Sequence, residues 1–122
     1  MSSDQHYADA LRIPKSTSTV NVSIIDTTLR FDNLSPSWFM EPPIKGFDNM
    51  KCPSYSFLVE SSHSKRKVLW DLGMRKDWNN LAPTMRDRII QGGAELTIER
   101  NVADILREGG VELTDIEAII WR

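Results

Sequence analysis

The residue types that most often do chemistry are few in this 122-residue chain, which has two histidines, His6 and His63, and one cysteine, Cys52. The histidines are too far apart in sequence to have the spacing of a metal-ligand pair. A nucleophilic Cys52 needs a histidine base, and His6 lies in a polar leader while His63 lies in a predicted turn. The chain also lacks a Gly-rich phosphate loop and a Gly-x-Ser-x-Gly elbow. The residues themselves therefore predict no catalytic residue and no metal ligand.

Asp71 is a carboxylate in an apolar setting, between Trp70 and Leu72 at the end of a predicted strand. A charge there is costly unless it is paired or hydrogen-bonded. One interpretation is that the carboxylate caps the next turn, which passes through Gly73. The other is that Asp71 fixes a nearby functional loop from behind. The residues alone leave both open.

Residues 31–54 are rich in aromatic residues and proline and fit neither helical nor strand periodicity. We predict a long loop, and a loop longer than about 20 residues inside a compact domain is usually functional or disordered. Trp38, Phe39 and Met40 form either an apolar wall of a substrate pocket or a small cluster that packs back on the core.

The elements that must position these residues begin after residues 1–18, a polar leader that we predict to be flexible. Strict alternation from Thr19 predicts a half-buried strand, with Val20, Val22 and Ile24 on the same face. Residues 55–60 and 67–72 also alternate and are separated by a polar stretch. They predict a β-hairpin with a long turn.

Two short helices are predicted after the hairpin. Pro83 suits the first position of one helix, and Gly92 ends it. Asn101 is a good N-cap for the other, which ends at Gly109.

The sequence closes with an apolar run, residues 118–121, of the kind found in strands buried inside a sheet that is covered on both faces. Thr114 and Glu117 have the spacing of a capping box, so one helical turn is expected before this strand. The order strand, loop, hairpin, two helices and strand predicts a mixed α/β (α+β) fold with helices on a sheet.

Composition excludes several classes of protein. The chain is 40% apolar and 26% charged, with 15 basic and 17 acidic residues and a net charge of −2. No basic stripe is present, so nucleic acid is not an expected partner. No apolar run is long enough to cross a bilayer or to form a signal peptide, so we expect no membrane partner and a cytoplasmic location.

Three stretches in order carry a resemblance. The alternating first strand leads into the aromatic segment, the hairpin ends in Val68-Leu-Trp-Asp-Leu-Gly73, and Gly110-Val-Glu-Leu-Thr-Asp-Ile-Glu-Ala-Ile-Ile-Trp121 closes the chain. Together they resemble the N-terminal half of a metallo-β-lactamase superfamily hydrolase of the fungal lactonase or lactamase type. The resemblance covers about residues 19–121.

The resemblance implies that residues 19–122 are a partial domain, the N-terminal half of a four-layer αββα sandwich of mainly antiparallel strands with two or three short helices. In that family Asp71-Leu72-Gly73 corresponds to a turn that supports the metal-binding loop. The family's zinc ligands, His-x-His-x-Asp-His, follow the last strand after a Ser or Thr, where this chain has Arg122 and ends. The resemblance therefore implies no cofactor in this chain and zinc only in full-length relatives.

No catalytic residue and no metal ligand is carried over. Asp71 is the candidate supporting residue behind the site, and Trp38, Phe39 and Met40 are the candidate pocket wall.

Three functions are open on this resemblance. The first is a truncated hydrolase, inactive alone, whose lineage opens lactone or lactam rings in xenobiotic detoxification or secondary metabolism. The second is half of a split hydrolase that needs a partner chain, and the third is a non-catalytic small-molecule binding module. The expected partners are a small cyclic ester or amide, a missing C-terminal half, or further copies of the chain. Uncovered apolar surface predicts an aggregation-prone or partly folded monomer.

Overall fold

The structure, a computed structural model, describes residues 14–121. That range contains five strands and two helices: β1 (Val20–Leu34), β2 (Met50–Ser61), β3 (Lys67–Trp70), α1 (Pro83–Gln91), β4 (Glu95–Thr97), α2 (Val102–Glu108) and β5 (Ile116–Ile120). The predicted mixed α/β fold is confirmed. Most of the predicted leader, including His6, lies outside the described residues, as does Arg122. Neither helix in this range has the length and apolar character needed to cross a membrane.

The strands form one sheet in the order β4-β1-β2-β3-β5. The three pairs β4-β1, β1-β2 and β2-β3 are antiparallel, which confirms the predicted hairpin of β2 and β3. β3 and β5 are parallel, so their carboxyl ends lie at the same edge of the sheet. Parallel strands need a long crossover connection, and here that connection contains α1, β4 and α2.

The core lies between one face of the sheet and α2. Ile25, Leu58 and Leu69 come from three adjacent strands, and Val102 and Leu106 come from the helix. Leu58 pairs directly with Leu69, so the period-2 alternation places both side chains on the same face. Val102 and Leu106 are four residues apart and lie above one another on the helix. Burial of this cluster is what holds α2 on the sheet.

Both helix predictions are confirmed to the residue. α1 begins at Pro83 and has Gly92 as its C-cap residue, and α2 follows Asn101 and ends before Gly109. A short 3-10 turn, Leu113–Asp115, precedes β5 as expected, but it has no side-chain cap, so the capping box of Thr114 and Glu117 does not form.

The predicted loop over residues 31–54 is too long. β1 continues to Leu34 and β2 begins at Met50, so the connection is residues 35–49. The pairing of β1 with β2 is irregular between Asp26 and Arg30 and again between Phe31 and Leu34. Such bulges break the alternation that identifies a strand in sequence, and they also accommodate Pro53.

The prediction that residues 118–121 are buried on both faces of a sheet is wrong. β5 is an edge strand that pairs with β3, and within the described range no strand lies on its other side. Ile119 and Ile120 are exposed, and Trp121 is 75% exposed. An apolar run indicates that a strand favours burial. Whether the strand lies at the centre or at the edge of the sheet depends on partner strands that the local sequence does not encode.

Candidate functional site

A cavity of about 510 Å³ lies where β3 and β5 end and α2 begins. It is lined mainly by apolar side chains, contributed by Leu72, Gly73, Met74, Arg75, Leu81, Met85, Asn101, Val102, Ala103 and Trp121. Crevices at the carboxyl ends of parallel strands are the usual ligand sites of open α/β sheets. This cavity is therefore the candidate site.

Asp71 lies in the turn between β3 and the residues that line the cavity. Its backbone has a φ of 63°, a left-handed conformation that aspartate tolerates better than most residues. Its carboxylate accepts hydrogen bonds from the backbone N–H of Leu72 at 2.6 Å and of Gly73 at 2.9 Å. Its own N–H donates to the carbonyl of Ile120 at 2.8 Å, which ties the ends of β3 and β5 together. The interpretation of Asp71 as a cap for the turn through Gly73 is confirmed.

Gly73 packs directly on the first strand. Its φ is +59°, and a Cβ atom at this position would lie 2.9 Å from Cγ2 of Thr27. Thr27 cannot move away, because it is fully buried and its hydroxyl donates to the carbonyl of Ser54 at 2.8 Å. Glycine is thus required at position 73 by both conformation and space.

The bulge in β1 holds the loop that precedes α2. Thr28 has a φ of 60°, and its hydroxyl oxygen accepts hydrogen bonds from the N–H groups of Glu99 at 3.0 Å and Arg100 at 2.9 Å. A β-branched residue in this conformation is strained, so the surrounding bonds must hold it there. On the same bulge, Asp26 accepts from the Thr28 N–H and from Arg30. The hydrogen bond from Arg30, aided by that of the Thr28 N–H, lowers the pKa of Asp26 to about 2.

Asn101 joins the two loops that border the cavity. It occupies the predicted N-cap position of α2, but its side chain does not cap the helix. Instead, its Oδ1 accepts a hydrogen bond from the Lys76 N–H at 2.9 Å. The prediction of a capping side chain is therefore wrong, because the loop after β3 uses this acceptor.

The positive charge of Arg75 at the cavity rim is balanced by the carboxylate of Asp77. Arg75 donates to both carboxylate oxygens of Asp77, through Nε at 2.6 Å and through Nη2 at 2.5 Å. This arginine lowers the pKa of Asp77 to about 2, with a smaller contribution from Asn80. The remaining polar wall residue, Asn101, is also hydrogen-bonded. The cavity consequently suits a neutral, largely apolar ligand better than an ion.

Trp38, Phe39 and Met40 do not line this cavity. Trp38 is half-buried against α1, with the Arg88 guanidinium carbon 5.0 Å from its ring centroid and with Gly92 close to its edge. Phe39 is 67% exposed, and Met40 is exposed beside it. Trp38 thus packs back on the domain, and the role of the three residues as a pocket wall stays a prediction.

The described residues do not fit a zinc site. Among residues 14–121, no group of three or more His, Cys, Asp or Glu side chains is placed to hold a metal ion. His63 is exposed in the turn after β2, as predicted, and Cys52 is half-buried within β2. No chemical step that uses a metal is therefore assigned to these residues.

Sequence reasoning missed most of the cavity. It identified the Asp71 turn and the starts of both helices. It did not identify Met74 or Leu81, which lie in the polar segment between β3 and α1, and it gave Met85 of α1 no role in a pocket. The parallel pairing of β3 and β5 could have located the cavity, because residues that follow the carboxyl ends of two parallel strands lie at the same edge of the sheet.

Comparison with known proteins gives fungal relatives. The chain is 41% identical over 113 residues to "Gamma-lactamase FDB1" of Fusarium pseudograminearum. This alignment covers 89% of this chain and 27% of the Fusarium protein. It is also 42% identical over 116 residues to "Metallo-hydrolase mfmC" of Annulohypoxylon moriforme. That alignment covers 92% of this chain and 30% of the Annulohypoxylon protein. No family model matches, and no solved structure matches.

A third relative carries a different name. "Cytochrome P450 monooxygenase mpaDE" of Penicillium roqueforti is 41% identical over 115 residues, which is 91% of this chain and 13% of that protein. A match to so small a share does not transfer a name that describes the whole protein. The chain spans less than a third of the length of each of these relatives. Its homology to fungal gamma-lactamase and metallo-hydrolase proteins confirms the resemblance that the sequence indicated.

Proposed function

We propose, on the premise of this homology, that the chain forms the substrate-holding part of a ring-opening hydrolase that acts on small cyclic amides or esters. The observation that carries this proposal is the apolar cavity at the ends of β3 and β5. Its volume is within the range of small-molecule sites, about 300–1,000 Å³. A compact lactam or lactone ring fits such a volume.

In this proposal the chain contributes position rather than chemistry. The apolar wall formed by Leu72, Met85 and Val102 takes the non-reacting part of the ring and excludes water from it. The Asp71 turn holds the end of β3 against β5 and so fixes the edge at which the ring binds. In this proposal, residues outside the described range, in the same polypeptide or in a partner chain, would hold the metal, and the metal would activate the attacking water.

A chimera tests this proposal. The matching segment of the Fusarium gamma-lactamase is replaced by this chain, and ring opening of a simple γ-lactam is measured by loss of the substrate. We expect turnover by the chimera and none by the isolated chain. A Gly73→Val chimera should lose activity because the turn no longer fits against Thr27. A Phe39→Ala chimera is the control and should retain activity, since Phe39 does not line the cavity.

Two results would contradict the proposal. One is a folded chimera that binds zinc but does not open the ring, and the other is turnover by the isolated chain. Zinc content and circular dichroism of each chimera separate the first result from simple misfolding.

A second candidate function is binding without catalysis. The observation that supports it is that described residues line the whole cavity, so in this candidate the isolated chain binds the ligand without a partner. This candidate predicts ligand binding by the isolated chain together with an inactive chimera, whereas the hydrolase proposal predicts an active chimera.

A further inference from the structure

A single hydrogen bond ties the segment between β3 and α1 to the loop that precedes α2. We call residues 74–81 the strap, because they form one side of the cavity wall. Within the part of the chain that the structure describes, the strap makes one hydrogen bond to a residue outside itself. That bond runs from the Lys76 N–H to Oδ1 of Asn101, at 2.9 Å. The strap is therefore held at its two ends and at one point between them.

Packing of the strap adds little to this tether. None of its side chains is buried, and Met74, Trp78 and Leu81 are half-buried. Its other hydrogen bonds are internal, as between Arg75 and Asp77, so they persist when the strap moves. Segments with few buried contacts open locally at a small part of the free energy of global unfolding. The strap therefore moves as a unit once the tether is released.

The backbone of Asn101 has the conformation of a helix N-cap. Its φ and ψ are −76° and 149°, in the extended region. Its carbonyl accepts hydrogen bonds from the N–H groups of Asp104 at 3.0 Å and Ile105 at 3.2 Å. A side chain at this position normally accepts from a backbone N–H of the first helical turn. That of Asn101 does not, because its oxygen accepts from Lys76 instead.

The donors that compete for this oxygen lie on either side of it. Among the described residues, the N–H of Ala103 in the first turn of α2 donates no hydrogen bond. The side-chain nitrogen of Asn101 already faces this turn and donates to the Asp104 carboxylate at 3.4 Å. Rotation of the side chain exchanges the bond from Lys76, whose N–H water then hydrates, for a bond from α2. The number of hydrogen bonds stays the same, so the two arrangements are close in free energy.

We propose that Asn101 is a two-position latch that controls entry to the cavity. When its side chain binds the strap, the cavity is closed. When its side chain caps α2, the strap moves away and admits the ligand. The inference rests on the proposed function for what enters the cavity, whereas the latch itself consists of Asn101, the strap and α2.

Replacement of Asn101 by serine separates the two positions. Serine is as good an N-cap as asparagine, but its hydroxyl lies one bond closer to the backbone and does not reach the strap. In the isolated chain, amide hydrogen exchange at Lys76 should be roughly fivefold faster in both Asn101→Ser and Asn101→Ala. Exchange at Ala103 should be slower in Asn101→Ser than in the unsubstituted chain, and fastest in Asn101→Ala.

NMR relaxation dispersion tests the two positions in the unsubstituted chain. The amides of Lys76 and Ala103 should show exchange at one common rate on the microsecond-to-millisecond timescale. Asn101→Ser should abolish this exchange, because only the capped position remains.

Asn79→Ser is the matched control. Asn79 is an exposed asparagine of the same strap, so the substitution is chemically identical. Exchange at Lys76 should stay within about twofold of the unsubstituted chain. Circular dichroism shows whether each variant remains folded.

Three results would overturn the latch. One is an Asn101→Ser variant that protects Lys76 as well as the unsubstituted chain does. Another is an Asn101→Ser variant in which Ala103 exchanges as fast as in Asn101→Ala, which would make Asn101 a simple tether. The third is relaxation dispersion at Lys76 and Ala103 with different rates, or with none.

Control of entry is measured with N-phenyl-1-naphthylamine, a neutral apolar dye, by stopped-flow fluorescence. The signal to follow is the part that Ala103→Trp removes by filling the cavity. Asn101→Ser should raise the association rate roughly fivefold, because more of the chain is open, and Asn79→Ser should leave it unchanged. Equal rates in Asn101→Ser and the unsubstituted chain would overturn control of entry. Absence of dye binding in every variant would contradict the proposed function, whereas amide exchange tests the latch without any ligand.

Discussion

The strand-end turns and the aromatic connection were both candidates for function, and they are built differently. At residues 71–77 and 99–101, side chains accept hydrogen bonds from backbone N–H groups. Asp71 accepts within its own turn, Thr28 of β1 accepts from Arg100, and Asn101 accepts from Lys76. In residues 35–49, Trp38 packs on α1 while Phe39, Met40, Ile44 and Phe47 remain exposed. Aromatic content thus identifies apolar surface, whereas hydrogen bonds from the backbone to side chains identify the segments whose backbone conformation is fixed.

The largest expected effect contrasts two glycines, one in each region. Gly73→Ala should lower the free energy of unfolding by about 2–4 kcal/mol, because the new methyl group meets Thr27 and the left-handed backbone is strained. Gly46→Ala in the connection has a φ of +83° but open space around it, so it should lose about 1–2 kcal/mol. Urea denaturation at one fixed protein concentration measures both, and equal losses would show that the turn is not tightly packed.

The next effect concerns the Asp71 carboxylate. Asp71→Ala removes the acceptor for two backbone N–H groups and leaves alanine at a φ of 63°, which should cost about 2 kcal/mol. Asp71→Asn keeps one oxygen acceptor and tolerates this backbone, so it should lose less than half as much. Chemical denaturation compares the two, and an alanine variant as stable as the asparagine variant would rule out the capping role.

A smaller effect is expected at Thr28. Thr28→Val removes the hydroxyl that accepts from Glu99 and Arg100, and it should cost about 1 kcal/mol. Thr28→Ser keeps the hydroxyl without the β-branch and should be close to neutral. Amide hydrogen exchange at Glu99 and Arg100 is the direct measurement, and faster exchange should appear in the valine variant alone.

The smallest effect is a pH dependence. Because Arg30 and the Thr28 N–H lower the pKa of Asp26 to about 2 from 3.8, the charged form stabilises the folded chain. This contribution is fully present above about pH 4 and is lost as the pH falls through 2. It should be well under about 1 kcal/mol, since the pair is exposed and screened. Carboxyl carbon NMR should give a pKa near 2 that returns toward 3.8 in Arg30→Gln, and an unchanged pKa in that variant would contradict the assignment.

Much of the local structure could be predicted from the sequence. Pro83, Gly92, Asn101 and Gly109 identified both helices because helix ends depend on neighbouring residues. The hairpin of β2 and β3 was similarly local. The full length of β1 was missed because the bulge near Thr28 interrupts the alternation on which strand prediction depends.

The candidate site was less predictable because it is assembled over long sequence distances. Thr28 is bonded to Arg100, and Lys76 to Asn101, through contacts that no local pattern announces. Asp71 was identified because a charge in an apolar strand demands a partner. Met74 and Met85 carry no such signal, and they become wall residues once β3 and β5 are parallel neighbours.

Methionine methyl NMR tests most directly the claim that the strand-end cavity, and not the aromatic connection, is the ligand site. Met74 and Met85 line the cavity, whereas Met40 lies in the connection and Met50 at its end. On titration of a simple γ-lactam into the isolated chain, we expect saturable shifts of Met74 and Met85 that Ala103→Trp abolishes by filling the cavity. Shifts of Met40 with no change at Met74 and Met85 would contradict this account and move the site to the aromatic connection.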